Sequence, residues 1–374
     1  MTNYRKGSGR LIKSKLVQNY NVIKIIGGKT KMNKIKVTGI LTIALMMVFS
    51  LVFIGGSVEA QDLNKMAIIF PGSIQDADYN ATGYETMLAV EEELGLEVSY
   101  SEQVAVPDAA RVLSEYADSG YGIIWAHGAQ FNQAVFEVAP QFPDVAFIIE
   151  GDTPLDEEIA NVTLLERNYY PGFYVLGALA TRITETNKIG YIGGLELPFT
   201  YGEVNAIGQA IAEYSPDTEL SYLYVGDFND PVKTKQSAEA LISQGVDVII
   251  SGVNLGNYGL FRAVEDADRK VYVTTTYTNK YNLAPEHHLT SDLFMYNPVV
   301  FEAIERIQAG QTSNFIPMQY GPDNSRYLKL PVDNVSDEVN EWTKGIAEKV
   351  ASGEIVVEKN LTEIDLEIEA EVLQ

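Results

Sequence analysis

Tyr79, Trp125 and Phe228 stand at or just beyond the ends of short apolar runs, in turns otherwise rich in Gly, Asn and Asp. Small and amide residues are the ordinary material of turns, where they supply positive φ and helix caps, but a turn has no need of large rings. Rings beside amides and carboxylates suit the capture of a flat ligand, stacked on its faces and hydrogen-bonded along its polar edge. The turns carrying this composition hold Asp76, Tyr79 and Asn80; Trp125 and His127; Phe228; Asn254; and Tyr277 with Asn279. Packing of the rings into the local core is the competing reading for each of them. His127 has two readings of equal weight, a donor to a ligand or a hydrogen-bond partner of a neighbouring loop.

Covalent and metal chemistry find little support. The chain has no Cys, which removes disulfides, thiolate metal sites, Cys nucleophiles and a lipidated N-terminal Cys together. Gly-x-Ser-x-Gly, His-Glu-x-x-His, the P-loop and the Gly-x-Gly-x-x-Gly fingerprint are all missing, as is the acidic run that a metal-dependent nucleoside hydrolase needs. Glu286, His287 and His288 form the one dense group of ligand types, but adjacent His side chains diverge in most backbone conformations, so no metal is expected there. A binding protein without cofactor, rather than an enzyme, is the expectation.

The elements that must position these residues follow from the hydrophobic pattern. Apolar runs at 66–70, 122–126, 145–150, 188–194, 220–225, 246–251 and 271–275 read as strands buried on both faces. They alternate with helical stretches, one at 84–94 with Met87, Val90 and Leu94 on one face beside Leu88, another at 171–182 just after Tyr170. This alternation implies an α/β fold with parallel sheets covered by helices. Some eight such units suit two doubly wound lobes better than one long sheet. Ligands of open parallel sheets sit beyond the carboxyl ends of the strands, where the ring-bearing turns lie. The expected division is 61–164 with 290–314 in the first lobe and 165–289 with 315–374 in the second, with hinges near 162–165, 277–289 and 314–319.

Charge separates the N-terminal 60 residues from the rest. Among 374 residues, 27 Lys and Arg face 51 Asp and Glu, a formal net charge of −24, which is too acidic for a nucleic-acid binder. Residues 1–60, by contrast, hold ten basic side chains and one acid, Glu59. Lys34 and Lys36 precede an apolar run over 40–54, and Val58-Glu59-Ala60 resembles a small-residue cleavage site, the order of a secretory signal over 32–60. A permanent anchor is the competing reading, but the run is short for a span. Residues 1–31 read as an upstream start chosen in error or a processed presegment. Removal at Ala60 leaves 314 residues, 17 of them basic and 50 acidic, a charge of −33. An exported, unlipidated monomer in the periplasm, or secreted, is expected. The acidic tail over 363–371 reads as solvated surface.

From 66 to about 330 the chain resembles the basic membrane protein family of ABC-transporter substrate-binding proteins, whose purine- and nucleoside-binding members have the type I periplasmic-binding-protein fold. The resemblance is carried by Gly72-Ser73-Ile74 with Asp76 and Tyr79-Asn80, by Lys188-Ile189-Gly190-Tyr191-Ile192-Gly193-Gly194, by Phe228-Asn229-Asp230-Pro231, and by His288-Leu289-Thr290-Ser291. It implies that Tyr79 and Phe228 sandwich a base, that Asp76 and Asn80 hydrogen-bond the ligand, and that an ABC permease is the partner. Tyr277, Asn279 and Phe294 stand where nucleoside-binding members carry charged side chains, and Phe294 with the stretch around Asn205 is more similar to the branch that binds free purine bases. A ligand sensor of the same fold, presenting its closed form to a membrane receptor, is the alternative role. Tyr170 completes the candidate set.

Overall fold

The computed structural model describes residues 61–155, 157–322 and 324–363; the leader expected over 32–60, the segment before it, and all of the acidic tail beyond Glu363 lie outside them. Two six-stranded sheets organise the described chain. The first runs β11-β5-β4-β3-β1-β2, from β1 (Asp62–Ile69), β2 (Glu97–Ser101), β3 (Tyr121–Ala126), β4 (Ala146–Gly151), β5 (Val162–Glu166) and β11 (Asn314–Pro317), every pair parallel. The second runs β12-β10-β9-β8-β6-β7, from β6 (Lys188–Gly193), β7 (Glu219–Tyr224), β8 (Val248–Gly252), β9 (Tyr272–Tyr277), β10 (His288–Phe294) and β12 (Arg326–Leu328), and only β12 is antiparallel. These are the two doubly wound lobes of the type I fold. Each repeats one strand order and so has one switch point, between β1 and β3 and between β6 and β8, where ligands of such sheets gather.

Seven of the strands, β1, β3, β4 and β6 to β9, form where they were expected because their residues are apolar on both faces: Ile123, Ile124, Trp125 and Ala126 of β3 are fully buried, as are Val248, Ile249 and Ile250 of β8. β2, β5, β10, β11 and β12 were not expected, and β5 and β11 occupy stretches expected as hinges. In the first lobe, α1 (Tyr79–Ala89), α2 (Ala109–Asp118) and α3 (Asn132–Val138) cover the sheet, and α8 (Asn297–Gln308) packs on β5 and β11. α4 (Tyr170–Ile183), α5 (Pro198–Tyr214), α6 (Pro231–Ser243), α7 (Asn257–Glu265) and α9 (Asp337–Ala351) belong to the second. Gly177 lets α4 approach α5 closely, since a Cβ there would lie 3.0 Å from the Ile207 Cα.

Two expectations shift. The first helix begins at Tyr79, not near 84, and Leu88 and Leu94 of the expected apolar face are 43% and 40% exposed, while Met87 and Val90 are buried. β10 pairs in the second sheet and β11 in the first, so the chain passes between lobes around 167–169, 295–296 and 318–325. The expected division placed 290–294 with the first lobe and 315–317 with the second. Sheet membership is set by non-local pairing, which the local pattern does not encode.

Candidate functional site

The turn before α1 supplies the first wall. Asp76 folds this turn: its carboxylate accepts from the backbone N–H of Asp78 (2.9 Å), Asn80 (3.0 Å) and Ala81 (3.0 Å) and from Asn80 Nδ2 (2.6 Å). Asn80 Oδ1 accepts in turn from the Gly72 N–H (3.2 Å). Both side chains, expected at the ligand, are thus engaged with their own loop, an internal cap for a helix start that has free N–H groups. They place Tyr79 at the head of the helix.

Tyr79 is held from three sides. Its hydroxyl donates to Glu150 (2.7 Å), His127 stacks on its ring with centroids 4.1 Å apart and 17° between planes, and His127 Nε2 lies 3.0 Å from the Tyr79 carbonyl. Glu150, at the end of β4, also accepts from the Tyr296 hydroxyl (3.0 Å), and His127 Nδ1 lies 2.7 Å from Glu150 Oε1. Burial works to raise this carboxyl, but His127, Arg167 and the Tyr79 hydroxyl outweigh it and hold Glu150 below its ordinary value. Trp125 lies beneath, fully buried, tilted on Tyr296 at 5.4 Å and edge-on to His127 at 4.9 Å. Trp125 and His127 are therefore the support under Tyr79, which agrees with the core-packing and loop-bonding readings of these two residues.

A continuous set of rings carries the site into the second lobe. Tyr277 meets Tyr79 edge-on at 5.6 Å and is tilted on Phe294 at 4.9 Å; its hydroxyl lies 3.1 Å from that of Tyr169. Tyr169 stacks on Phe199 at 5.0 Å, and Phe199 stacks on Phe228 at 6.0 Å with 16° between planes. Gly194 permits this: a Cβ there would sit 2.2 Å from the Phe228 ring. Tyr277 takes φ +69°, Ala77 +56° and Asn168 +48°, left-handed conformations that L side chains seldom adopt and that cluster at binding sites.

Charged groups that pattern reasoning passed over frame the rings. Arg167 forms a two-pronged pair with Asp152 (3.0 and 2.6 Å) and lies 4.9 Å from the Phe199 centroid. Arg326 pairs with Asp292, both fully buried, and its guanidinium stands 4.2 Å from the Phe294 centroid. Burial pushes the Asp292 carboxyl up to about 6 against the pull of Arg326, and pushes Glu203, which accepts from the Tyr191 hydroxyl, up to about 8. Lys280 crosses between lobes to Asp78 (2.9 Å), with further donation to Thr276 O (2.7 Å) and Thr278 Oγ1 (3.2 Å), while Thr278 Oγ1 donates to Ala77 O (2.8 Å). Isolated charges carry no periodic signal; only the topology that brings 78 to 280 and 292 to 326 shows them to be paired.

Beside this crossing, a cavity of about 200 Å³ opens between the lobes, lined by Asp76, Asp78, Asn254, Asn279, Lys280 and Asn282 among others. Three candidate residues, Asp76, Asn254 and Asn279, meet there. Tyr170 faces a separate small recess with Tyr169, Phe199 and Lys359. Asn205 is elsewhere: its amide donates to the carbonyls of Asn360 (3.0 Å) and Thr362 (2.9 Å). The Glu286-His287-His288 group diverges, as adjacent His side chains do. His288 is buried between Thr275 and Ser291 hydroxyls, pushed down to about 3 by burial, while His287 Nδ1 turns to the Val271 carbonyl and Glu286 is exposed.

Polar and aromatic groups of both lobes meet at this junction, and comparison with known proteins places the chain in a class. A purine-binding protein of Brucella abortus is 25% identical over 81% of this chain and 85% of its own length, and basic membrane protein A of Borreliella burgdorferi is 24% identical over 79% and 92%. A Haloferax volcanii protein provisionally assigned as an ABC transporter glucose-binding protein is 25% identical over 77% and 76%. A solute-binding protein of Aeropyrum pernix K1 superposes with a TM-score of 0.67 at 19% identity, covering 83% of this chain and 96% of that one. Residues 63–360 match the family described as ABC transporter substrate-binding protein PnrA-like, and the chain belongs to that family.

Proposed function

We propose that the protein captures a small planar solute, a free purine base in preference to its nucleoside, between Tyr79 and Phe228, and delivers it from the extracytoplasmic side to an ABC permease. One observation carries this reading: Tyr277 and Phe294, at positions where charged groups would pair with ribose hydroxyls, are buried against each other and against Tyr169 as rings. Tyr79 and Phe228 each have one face backed by a stacked partner, His127 and Phe199, which holds the ring plane without cost at the moment of binding. Sequence export, action as a monomer and absence of a lipid belong to the same reading.

A sugar is the second reading, favoured by the amides and carboxylates of the interlobe cavity, a lining suited to hydroxyl groups. Titration calorimetry with adenine, guanine, hypoxanthine, adenosine, inosine and glucose separates the two. A base is expected to bind more tightly than its nucleoside, and Tyr79→Ala and Phe228→Ala are each expected to weaken it about 5- to 150-fold, the equivalent of about 1–3 kcal/mol per stacked ring. Tighter binding of glucose, or of a nucleoside than of its base, overturns the purine-base assignment.

A further inference from the structure

After α9 the chain does not end at the surface of its own helix but runs back over the second lobe as a strap, residues 354–362. Helix α5 holds it by side chains one turn apart. Asn205 donates to the carbonyls of Asn360 and Thr362, and Gln209 pairs with Glu358 in both directions, its Nε2 to the carbonyl and its Oε1 from the N–H, each at 2.9 Å. Leu361 lies over Gly202, where a Cβ would come within 2.8 Å of it. Asn360 Oδ1 turns the end of the strap by accepting from the Thr362 N–H (3.0 Å) and hydroxyl (2.6 Å). An exposed tail needs none of these contacts.

From this second-lobe platform, Lys359 reaches the first lobe. Its ammonium donates to the Asp152 carbonyl, just past β4, and to the Glu166 carboxylate at the end of β5, and lies 6.0 Å from the Tyr170 centroid. Asp152 is also the partner of Arg167, on the first crossing between lobes, and Arg167 lies over Phe199 of the second lobe. Lys359 and Leu361 roof the recess lined by Tyr169, Tyr170 and Phe199, so the strap closes over the ring set on the side of the hinge.

We propose that this strap is a latch: a non-covalent link between the lobes, added to the covalent crossings, that must release Lys359 from Glu166 and Asp152 before the lobes can spread. It goes beyond solute capture but rests on the reading that the lobes open and close. Charge-assisted contacts of this kind are short-ranged and lost outright on separation, which gives the hinge a threshold rather than a uniform stiffness.

The absence of native Cys allows spin labels to be placed at introduced cysteines alone. Asp118→Cys on the first lobe and Gln236→Cys on the second, both exposed, report the interlobe distance by electron–electron double resonance in ligand-free full-length protein. Lys359→Met, which keeps the aliphatic stem and removes the charge together with both of its donated hydrogen bonds, is expected to raise the population at longer distance at least about tenfold, the factor for loss of one such bond alone, with little change in melting temperature. Asn205→Ala/Gln209→Ala, which frees the strap from α5 and leaves Lys359 intact, is expected to do the same. An unchanged distance distribution in a folded variant of either kind overturns the latch, whatever solute the titrations identify; a latch that releases as expected stands even if the purine assignment fails.

Discussion

The buried crossing between Asp78 and Lys280 makes a quantitative demand on the pH dependence of stability. Asp78 is pushed up to about 7, burial being the largest cause and Lys280 the main opposing pull. In the unfolded chain the same carboxyl titrates near 3.8. Between those values the native state keeps a proton that the unfolded state has lost, so this group makes stability fall with rising pH at about 1.4 kcal/mol per pH unit, and above 7 its contribution is flat. Lys280→Met removes the charge that restrains the carboxyl. The sloping window then extends upward, and if it passes pH 8.5 the added interval of about 1.5 pH units is worth about 2 kcal/mol. Loss of the Lys280 hydrogen bonds adds a pH-independent cost of about 1–3 kcal/mol. Lys280→Met should therefore be more destabilising at pH 8.5 than at pH 5.5, by up to about 2 kcal/mol, as measured by urea midpoints at constant m-value. Asp78→Asn/Lys280→Met should abolish the difference. Equal losses at the two pH values would refute the argument that burial, held in check by Lys280, governs Asp78.

Glu150→Gln should cost about 3 kcal/mol at pH 7, because it removes the charge that anchors His127, Tyr79 and Tyr296; since the native carboxyl titrates below its ordinary value, the loss should shrink as pH falls through that value, which melting curves at pH 7 and pH 3 can check. Gly259→Ala places a Cβ 1.8 Å from the Pro231 carbonyl and must push α7 off α6, so a loss of at least about 2 kcal/mol is expected in thermal unfolding. Asn161→Ala leaves the carbonyls of Ala139, Phe142 and Val145 without the amide they share, for a loss of about 2 kcal/mol read as a fall in urea midpoint.

What the sequence determined by itself was the class of structure and the places where function could lie. Continuous apolar runs such as 122–126 and 246–251 require burial on both faces, and helices between them require parallel sheets, so the ring-bearing turns necessarily fall at strand ends. Tyr79 and Tyr277 were legible on that basis, Phe294 only through the family resemblance, and the three meet in one ring cluster. The tertiary structure alone decided what each of the polar candidates touches. Asp76 and Asn80 fold their own turn, His127 and Trp125 brace Tyr79, and Asn205 holds a strap more than 150 residues away along the chain. Short strands such as β11 and β12 have too few residues for a periodic signal, and their sheet membership depends on partners elsewhere in the chain. The pairs Asp78 with Lys280 and Glu166 with Lys359 stayed invisible for the same physical reason: an isolated charge looks solvated until folding removes its water and supplies its partner.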